Sequence, residues 1–212
     1  MKLVVFGATG ASGLLLVEKA LAAGHEVNAY VRHPAKLQIR SAKLQVAVGE
    51  LSDASAIATV VAGAGAVISL LGPKGQFSGT PIADGMRRIV AAMEKHGVKR
   101  LIATVPPSVV DPGDRFRFSF WLEEKVFKAV AGNVHHEISE TAKVIMTSSL
   151  DWILVRLPLL TNRPAKRPAV AGFIGNPRIK LLWLSREALA DFLLAQLEET
   201  EWLYKAPAIS NG

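Results

Sequence analysis

The first thirteen residues, MKLVVFGATGASG, constrain the fold more than any other part of the chain. A short apolar strand at residues 3–6 runs directly into Gly7, Gly10 and Gly13, and an apolar helical stretch at residues 14–23 follows. In a strand–turn–helix unit of this kind, one glycine forms the tight turn, one lets a phosphate approach the backbone, and one lets helix and strand pack closely. The helix N-terminus also presents N–H groups that bind anions. The pattern therefore predicts a binding site for a pyrophosphate group.

The composition excludes several kinds of site and compartment. The 212 residues include no cysteine, which rules out disulfides, thiolate zinc sites and a cysteine nucleophile. The lack of cysteine also fits a reducing cytoplasm, which is where we expect the protein to act. No residue pattern predicts a metal site. Gly7 interrupts the N-terminal apolar run too early for a signal peptide. Residues 54–73 are uncharged, but their Ser, Thr and Gly content predicts a helix, a turn and a strand rather than a membrane span.

The charge balance favours anionic ligands. The chain has 25 basic and 18 acidic residues, a formal net charge of +7 at pH 7. Its basic cluster Arg163, Lys166 and Arg167 lacks the interleaved aromatic residues typical of nucleic-acid binding. We therefore interpret this cluster as an exposed proline-rich loop and expect a small-molecule substrate instead of a nucleic acid.

The order of predicted elements indicates an α/β fold with a doubly wound parallel sheet of the Rossmann type. Strands are predicted at 3–6, 26–31, 46–48, 66–70, 100–104 and 152–156, and helices at 12–23, 53–62, 81–96 and 116–131. Gly132 is expected to interrupt the last of these helices, and a second helix should follow it to about Ser149. After a proline-rich loop, a short strand at 179–182, a helix at 186–198 and a last strand at 205–209 are expected. We predict one dinucleotide-binding domain over 1–212, in which residues 157–212 contribute to the substrate side. Ligands should bind at the carboxyl ends of the strands, near the switch point between the first and fourth strands.

The end of the second strand indicates the type of dinucleotide. An acidic residue there would bind the ribose 2′-hydroxyl and repel a 2′-phosphate. This chain has Tyr30-Val31-Arg32-His33-Pro34 instead, and a guanidinium can hold a phosphate through two parallel hydrogen bonds. Arg32 therefore favours NADP(H) over NAD(H).

Five segments resemble the atypical short-chain dehydrogenase/reductase superfamily, and in particular its NAD(P)H-binding NmrA-like and biliverdin-reductase-B (flavin reductase)-like members. They are FGATGASG, AYVRHPAKL, VGELSDASAIATVVAGAGAVISLLGP, RRIVAAMEKHGVKRLIAT and SSLDWILVRLP, and together they cover about two thirds of the chain. The combination is specific for the family but not for a substrate.

The resemblance implies a set of cofactor-binding residues along the carboxyl ends of the strands. The pyrophosphate would contact Gly7, Thr9, Gly10, Ser12, Gly13 and Leu14, and the 2′-phosphate would contact Arg32. Glu50 and Leu51 would flank the adenine, and Leu71 and Gly72 would follow the ribose. Thr104, Val105 and Pro106 would face the nicotinamide, and Leu157 and Pro158 would close over it.

The chain departs from the superfamily at the residues that usually donate a proton to the substrate. Typical members use a serine and a Tyr-x-x-x-Lys pair, but the corresponding positions here hold Val134 and Ile138, and Pro106 replaces the serine. Some flavin-reductase-like relatives have a histidine where this chain has Leu159. The candidate catalytic residues are Ser108 and His136. His136 follows His135, and a polar start to the helix also explains the presence of these two histidines.

The segment at residues 114–121 alternates arginine and phenylalanine after the fifth strand. These side chains could stack a planar anionic substrate beside the nicotinamide. The same pattern also fits the buried start of a helix or a contact in a homodimer, so both interpretations stay open.

The main functional hypothesis is an NADPH-dependent oxidoreductase that transfers hydride to a small planar acceptor. A flavin or a quinone is the first acceptor that we expect. Such a transfer needs little from the protein beyond proximity and orientation. The alternative is a non-catalytic regulator that senses NADP(H), since the usual proton donor is missing. A nucleotide-sugar epimerase or dehydratase ranks third, because the short C-terminal region leaves little room for a sugar-nucleotide subdomain.

Overall fold

The computed structural model describes residues 1–73, 75, 78–115 and 131–211. Strands and helices alternate through most of this part of the chain. In chain order they are β1 (Lys2–Phe6), α1 (Ala11–Ala22), β2 (Glu26–Val31), β3 (Leu44–Val48), α2 (Ala54–Val61), β4 (Ala66–Ser69), α3 (Pro81–Lys95), β5 (Arg100–Val105), α4 (Gly132–Met146), β6 (Asp151–Arg156), β7 (Leu159–Thr161), β8 (Ala169–Gly172), β9 (Trp183–Ser185), α5 (Arg186–Ala195) and β10 (Ala208–Asn211).

Eight of these strands form one sheet in the order β3-β2-β1-β4-β5-β6-β10-β8. All neighbouring strands in it are parallel except β10 and β8, which are antiparallel. The chain moves outward from β1 to β3 and then returns to β4 on the other side of β1. This reversal is the predicted switch point, and the predicted doubly wound α/β fold is confirmed.

The sheet is covered by helices on both faces, because its strands are apolar on both sides. Alternate residues of β1 enter different cores: Val4 and Phe6 pack with α2, α3 and α4, whereas Leu3 and Val5 pack with α1 and α5. Burial on both faces is characteristic of parallel sheets connected by helices.

Local sequence signals explain where several helices begin. The Asp53 side chain accepts hydrogen bonds from the N–H groups of Ser55 and Ala56, so it is the N-cap predicted for α2. The Ser185 side chain caps α5 in the same way through the N–H of Glu187.

The chain beyond β6 differs from the prediction in three places. The proline-rich segment contains the short strands β7 and β8. The strand predicted at 179–182 is wrong, since those residues precede β9, which pairs with β7. The last continuous strand begins at Ala208 instead of residue 205. Lys205 forms only an isolated parallel bridge with Ile153 of β6, and Pro207, which lies between Lys205 and Ala208, has no N–H to donate to a neighbouring strand.

Two other predicted segments have different outcomes. Residues 54–73 form α2, a turn and β4, and no helix in the described ranges is long and apolar enough to cross a membrane. The helix predicted at 116–131 and most of the Arg/Phe segment fall in residues 116–130, outside the described residues.

A buried ion pair joins the carboxyl end of β6 to the loop after β5. Arg156, which has no solvent-exposed surface, donates from Nη1 to Oδ2 of Asp114 at 2.5 Å and from Nη2 to Oδ1 at 2.7 Å. Its Nη1 also donates to the carbonyl of Val109 at 3.0 Å. The carboxylate accepts further hydrogen bonds from the N–H groups of Asp111 and Ile174.

Asp111 extends this network to the last strand region. Its Oδ2 accepts a hydrogen bond from the N–H of Ala206 at 2.6 Å. The loop that begins at Pro106 is thereby fixed against β6, whose next residues are Leu157 and Pro158. These two loops are the ones predicted to face the nicotinamide.

The ion pair makes the stability of the fold dependent on pH. Burial by itself would raise the pKa of Asp114, but the hydrogen bonds from Arg156 and from the Asp111 and Ile174 N–H groups outweigh it and hold this pKa below its usual value. A lowered folded-state pKa stabilises the protein above the unfolded-state value of about 4, and this contribution is lost as the pH falls through the folded-state pKa.

We therefore predict that the free energy of unfolding decreases on acidification below about pH 4. Asp114→Asn should remove this part of the pH dependence and cost about 3–5 kcal/mol at neutral pH, as for loss of one partner of a buried ion pair. Urea unfolding at several pH values measures both effects. Asp191→Asn, which removes an exposed ion pair with Lys19, is the control and should cost at most about 1 kcal/mol. A variant at Asp114 with unchanged pH dependence would contradict this assignment.

Candidate active site

The turn between β1 and α1 is shaped by two close backbone contacts. Gly7 has a φ of +83°, and a Cβ there would lie 2.9 Å from the main-chain carbon and oxygen of Leu70. A Cβ on Gly13 would lie 2.2 Å from the carbonyl oxygen of Gly7. Both positions therefore require glycine for the fold itself.

Gly10 differs from the other two glycines because little protein surrounds it. Among the described residues, a Cβ on Gly10 would meet only the Gly7 carbonyl oxygen, at an ordinary 3.4 Å, and its φ of −75° suits any residue. Gly10 is the N-cap of α1, but no side chain in the described part of the chain caps this helix, and its first turn has no acidic residue. The α1 N-terminus thus keeps N–H groups available for an anion.

A cavity of about 580 Å³ lies along the carboxyl ends of β1 to β4. Predicted cofactor residues from four separate segments meet in its wall: Gly7, Thr9, Gly10, Arg32, Glu50, Leu51, Leu71 and Gly72. Ser12, Gly13 and Leu14 lie in the first turn of α1 and are not among the lining residues. The sequence did not point to Tyr30, Pro81, Ile82, Asp84 or Arg88, which also line this cavity.

Arg32 is the exposed cation at the end of β2 in this wall. Its side chain has no hydrogen bond or ion pair to any other described residue, so its guanidinium can bind a ligand without breaking an internal contact. Arg88, by contrast, donates to the carbonyl of Leu51 at 3.3 Å.

The floor of the cavity depends on a buried tyrosine that the sequence analysis did not assign. The Tyr30 hydroxyl donates to the Glu50 carbonyl at 2.9 Å, and a Cβ on Gly49 would lie 2.2 Å from this hydroxyl oxygen. Burial, followed by the negative charges of Asp53 and Glu50, raises the pKa of Tyr30. The phenol therefore stays a neutral donor that fixes the loop after β3.

A second cavity of about 280 Å³ adjoins the first, and the two share Leu70, Leu71, Gly72, Pro73 and Ile82. Its wall includes all the residues predicted to surround the nicotinamide: Thr104, Val105, Pro106, Leu157 and Pro158. Leu160 and three residues of α4, Glu137, Ile138 and Thr141, complete the lining. We refer below to the larger and the smaller cavity.

The two candidate catalytic residues lie outside both linings. Ser108 is half-buried in the loop after β5, and its hydroxyl oxygen has no hydrogen-bond partner within the described residues. His136 is exposed on α4, next to Glu137. Their catalytic roles stay predictions.

The usual Tyr-x-x-x-Lys pair has no counterpart at the smaller cavity in the described part of the chain. Ile138 lines this cavity, and Val134 lies one turn earlier on α4. The Tyr204 hydroxyl donates to Asp151 at 2.6 Å. Asp151 is the first residue of β6, so this contact lies at the amino ends of the strands, opposite the cavities. No group of three or more metal-ligating side chains occurs in the described ranges.

Solved structures of other proteins share this fold. A short-chain dehydrogenase/reductase (wide type) from Veillonella parvula, solved in complex with NADP, is 19% identical with a TM-score of 0.79 and covers 99% of this chain and 94% of its own. ChuY of Escherichia coli O157:H7, described as an anaerobillin reductase, is 22% identical with a TM-score of 0.76 and covers 100% of this chain and 97% of its own.

A curated relative matches over part of its length. The 3-beta-hydroxysteroid dehydrogenase of Mycolicibacterium neoaurum is 32% identical over 124 residues, which are 53% of this chain and 34% of that protein. The chain thus matches about a third of the length of this relative.

A family model described as NAD(P)H-binding matches residues 7–200. This range begins at the first glycine of the turn and includes every predicted cofactor residue. The resemblance drawn from the sequence motifs is confirmed, and the chain belongs to the NAD(P)H-binding family.

Proposed function

We propose that the protein is an NADP(H)-dependent reductase that transfers hydride from the nicotinamide to a small planar acceptor. The observation that carries this proposal is the continuity of the two cavities along one edge of the sheet. The larger cavity has the unpartnered Arg32 in its wall, and the smaller one is mostly apolar. A dinucleotide laid across both would have its phosphates at the α1 N-terminus.

Three features of the described residues fit such a cofactor. The α1 N-terminus has no side-chain cap, Gly10 leaves space where a phosphate would approach, and Arg32 has no internal partner. The positive end of the helix and the guanidinium would each stabilise a phosphate group. The guanidinium supports a preference for NADP(H), because a 2′-phosphate is what distinguishes it from NAD(H).

The smaller cavity provides an environment suited to hydride transfer. A bound nicotinamide supplies the hydride. Val105, Pro106, Leu157 and Pro158 would exclude water from it and limit its orientation. The Arg156–Asp114 pair fixes both loops that bear these residues, so the walls are held before ligands bind.

Flavins and quinones are the first acceptors to test, because both accept hydride without a dedicated protein acid. ChuY is described as an anaerobillin reductase, and this description supports adding a linear tetrapyrrole to the panel. A non-catalytic NADP(H) sensor is the second candidate function. The apolar Val134 and Ile138 favour it, because they occupy the positions of the usual proton donor and its lysine.

The proposal predicts that Gly10→Ala and Gly13→Ala have different effects. Gly10→Ala should lower stability by at most about 1 kcal/mol, because alanine is a poorer N-cap than glycine. It should lower the affinity for NADPH and NADH alike by at least about tenfold, since a methyl group would occupy the phosphate position. Gly13→Ala should destabilise the fold itself, because its Cβ would overlap the Gly7 carbonyl. Thermal unfolding and calorimetric titration separate the two outcomes. Unchanged cofactor affinity in folded Gly10→Ala protein would contradict the phosphate site.

A charge reversal at Arg32 tests the cofactor preference together with the reaction. Arg32→Glu should weaken NADPH binding by about 10- to 100-fold and change NADH binding by less than about threefold, because only NADPH has the 2′-phosphate. Arg40→Glu, an equal charge change at an exposed residue outside the cavity, is the control.

The same proteins are then assayed for loss of nicotinamide absorbance with flavin, quinone and linear tetrapyrrole acceptors. The reductase proposal predicts turnover with at least one of them. NADPH binding without any turnover would favour the sensor, and equal NADPH affinity in Arg32→Glu and wild-type protein would contradict the cofactor assignment.

A further inference from the structure

A buried carboxylate on α4 joins the smaller cavity to the start of α3. Glu137 is 1% exposed, and its Oε1 accepts a hydrogen bond from the N–H of Ala83 at 2.7 Å. Thr80, the N-cap of α3, makes no side-chain cap, so Glu137 caps this helix from another element. The positive end of a helix favours a negative charge at this position.

The other oxygen of the same carboxylate is unused. Oε2 of Glu137 is buried and has no hydrogen-bond partner in the part of the chain that the structure describes. Leaving a buried polar atom unpaired is unfavourable, and such atoms in native structures call for a partner or a functional explanation. Capping α3 needs only Oε1, so it does not explain the position of Oε2.

The polar side chains of the smaller cavity offer acceptors to a ligand and have already used their donors. The Thr104 hydroxyl donates to the Ser69 carbonyl at 3.4 Å, and the Thr141 hydroxyl donates to the Glu137 carbonyl at 2.8 Å. An ionised carboxylate only accepts hydrogen bonds. A ligand that satisfies Glu137 must therefore bring its own donor.

We propose that Oε2 of Glu137 accepts a hydrogen bond from an N–H group on the edge of the acceptor, and so selects planar heterocycles with an imide or lactam N–H. This inference rests on the proposed function, because it names the substrate class of the same site. A flavin ring has such an imide N–H, whereas a quinone presents only carbonyl oxygens. A site with an unpaired polar group rejects analogues that lack its partner much more strongly than an apolar pocket does.

The test uses lumiflavin and its derivative methylated at the imide nitrogen, which lacks the donor. Binding of each to the protein saturated with NADP⁺ is followed by flavin fluorescence. Wild-type protein should bind lumiflavin at least about tenfold more tightly than the methylated compound. In Glu137→Gln the amide oxygen can still cap α3 while its NH₂ group replaces the free acceptor, so this preference should disappear.

Glu140→Gln is the matched control, because it makes the same change one turn along α4, where Glu140 pairs with Arg87 outside the cavity. It should retain the wild-type preference. Thermal unfolding shows whether each variant is folded, and the comparison of the two flavins in wild-type protein needs no variant.

Equal binding of both flavins by wild-type protein, or no binding of either, would overturn the role of Glu137, whether or not NADPH is oxidised. A preference for lumiflavin without turnover would support Glu137 and contradict only the reductase proposal.

Discussion

The close approach of α1 to the end of β1 is the constraint on which the rest of the structure depends. The backbones meet so closely that a Cβ on Gly13 would lie 2.2 Å from the Gly7 oxygen, and one on Gly7 would lie 2.9 Å from the Leu70 main chain. These contacts bring β1, α1 and the end of β4 together at the switch point of the sheet. The uncapped α1 N-terminus is consequently directed at the edge where both cavities lie.

The walls of this edge are held by polar contacts between elements that are distant in sequence. The Asp114–Arg156 ion pair fixes the loops after β5 and β6, and the Tyr30 hydroxyl fixes the loop after β3. Glu137 links α3 to α4 beside the smaller cavity. Each contact restrains a cavity wall, so the site is preorganised by the fold rather than by local turn geometry alone.

The sequence predicted the features that depend on neighbouring residues. The glycine turn, the Asp53 cap and the alternation of strands and helices follow from local spacing and backbone requirements. The parallel order and the convergence of Arg32, Glu50 and Gly72 on one cavity then follow from the rules of doubly wound sheets.

The features that the sequence did not predict depend on partners far along the chain. Glu137 meets Ala83 across 54 residues, and Arg156 meets Asp114 across 42. The C-terminal strands are short, and β8 and β9 are recognisable only through their partners β10 and β7. The register of β10 follows from its pairing with β6 and β8, which local hydrophobicity does not show.

Hydride transfer from a nicotinamide held in the smaller cavity is the central claim, and its stereochemistry tests that claim most directly. NADPH deuterated on one or the other face of the hydride-donating carbon is oxidised with an acceptor that the protein reduces, and the NADP⁺ product is analysed by mass spectrometry. A nicotinamide fixed against the cavity wall predicts that deuterium is lost completely from one of the two substrates and retained completely in the other. Loss from both faces, or no oxidation with any acceptor, would contradict the account.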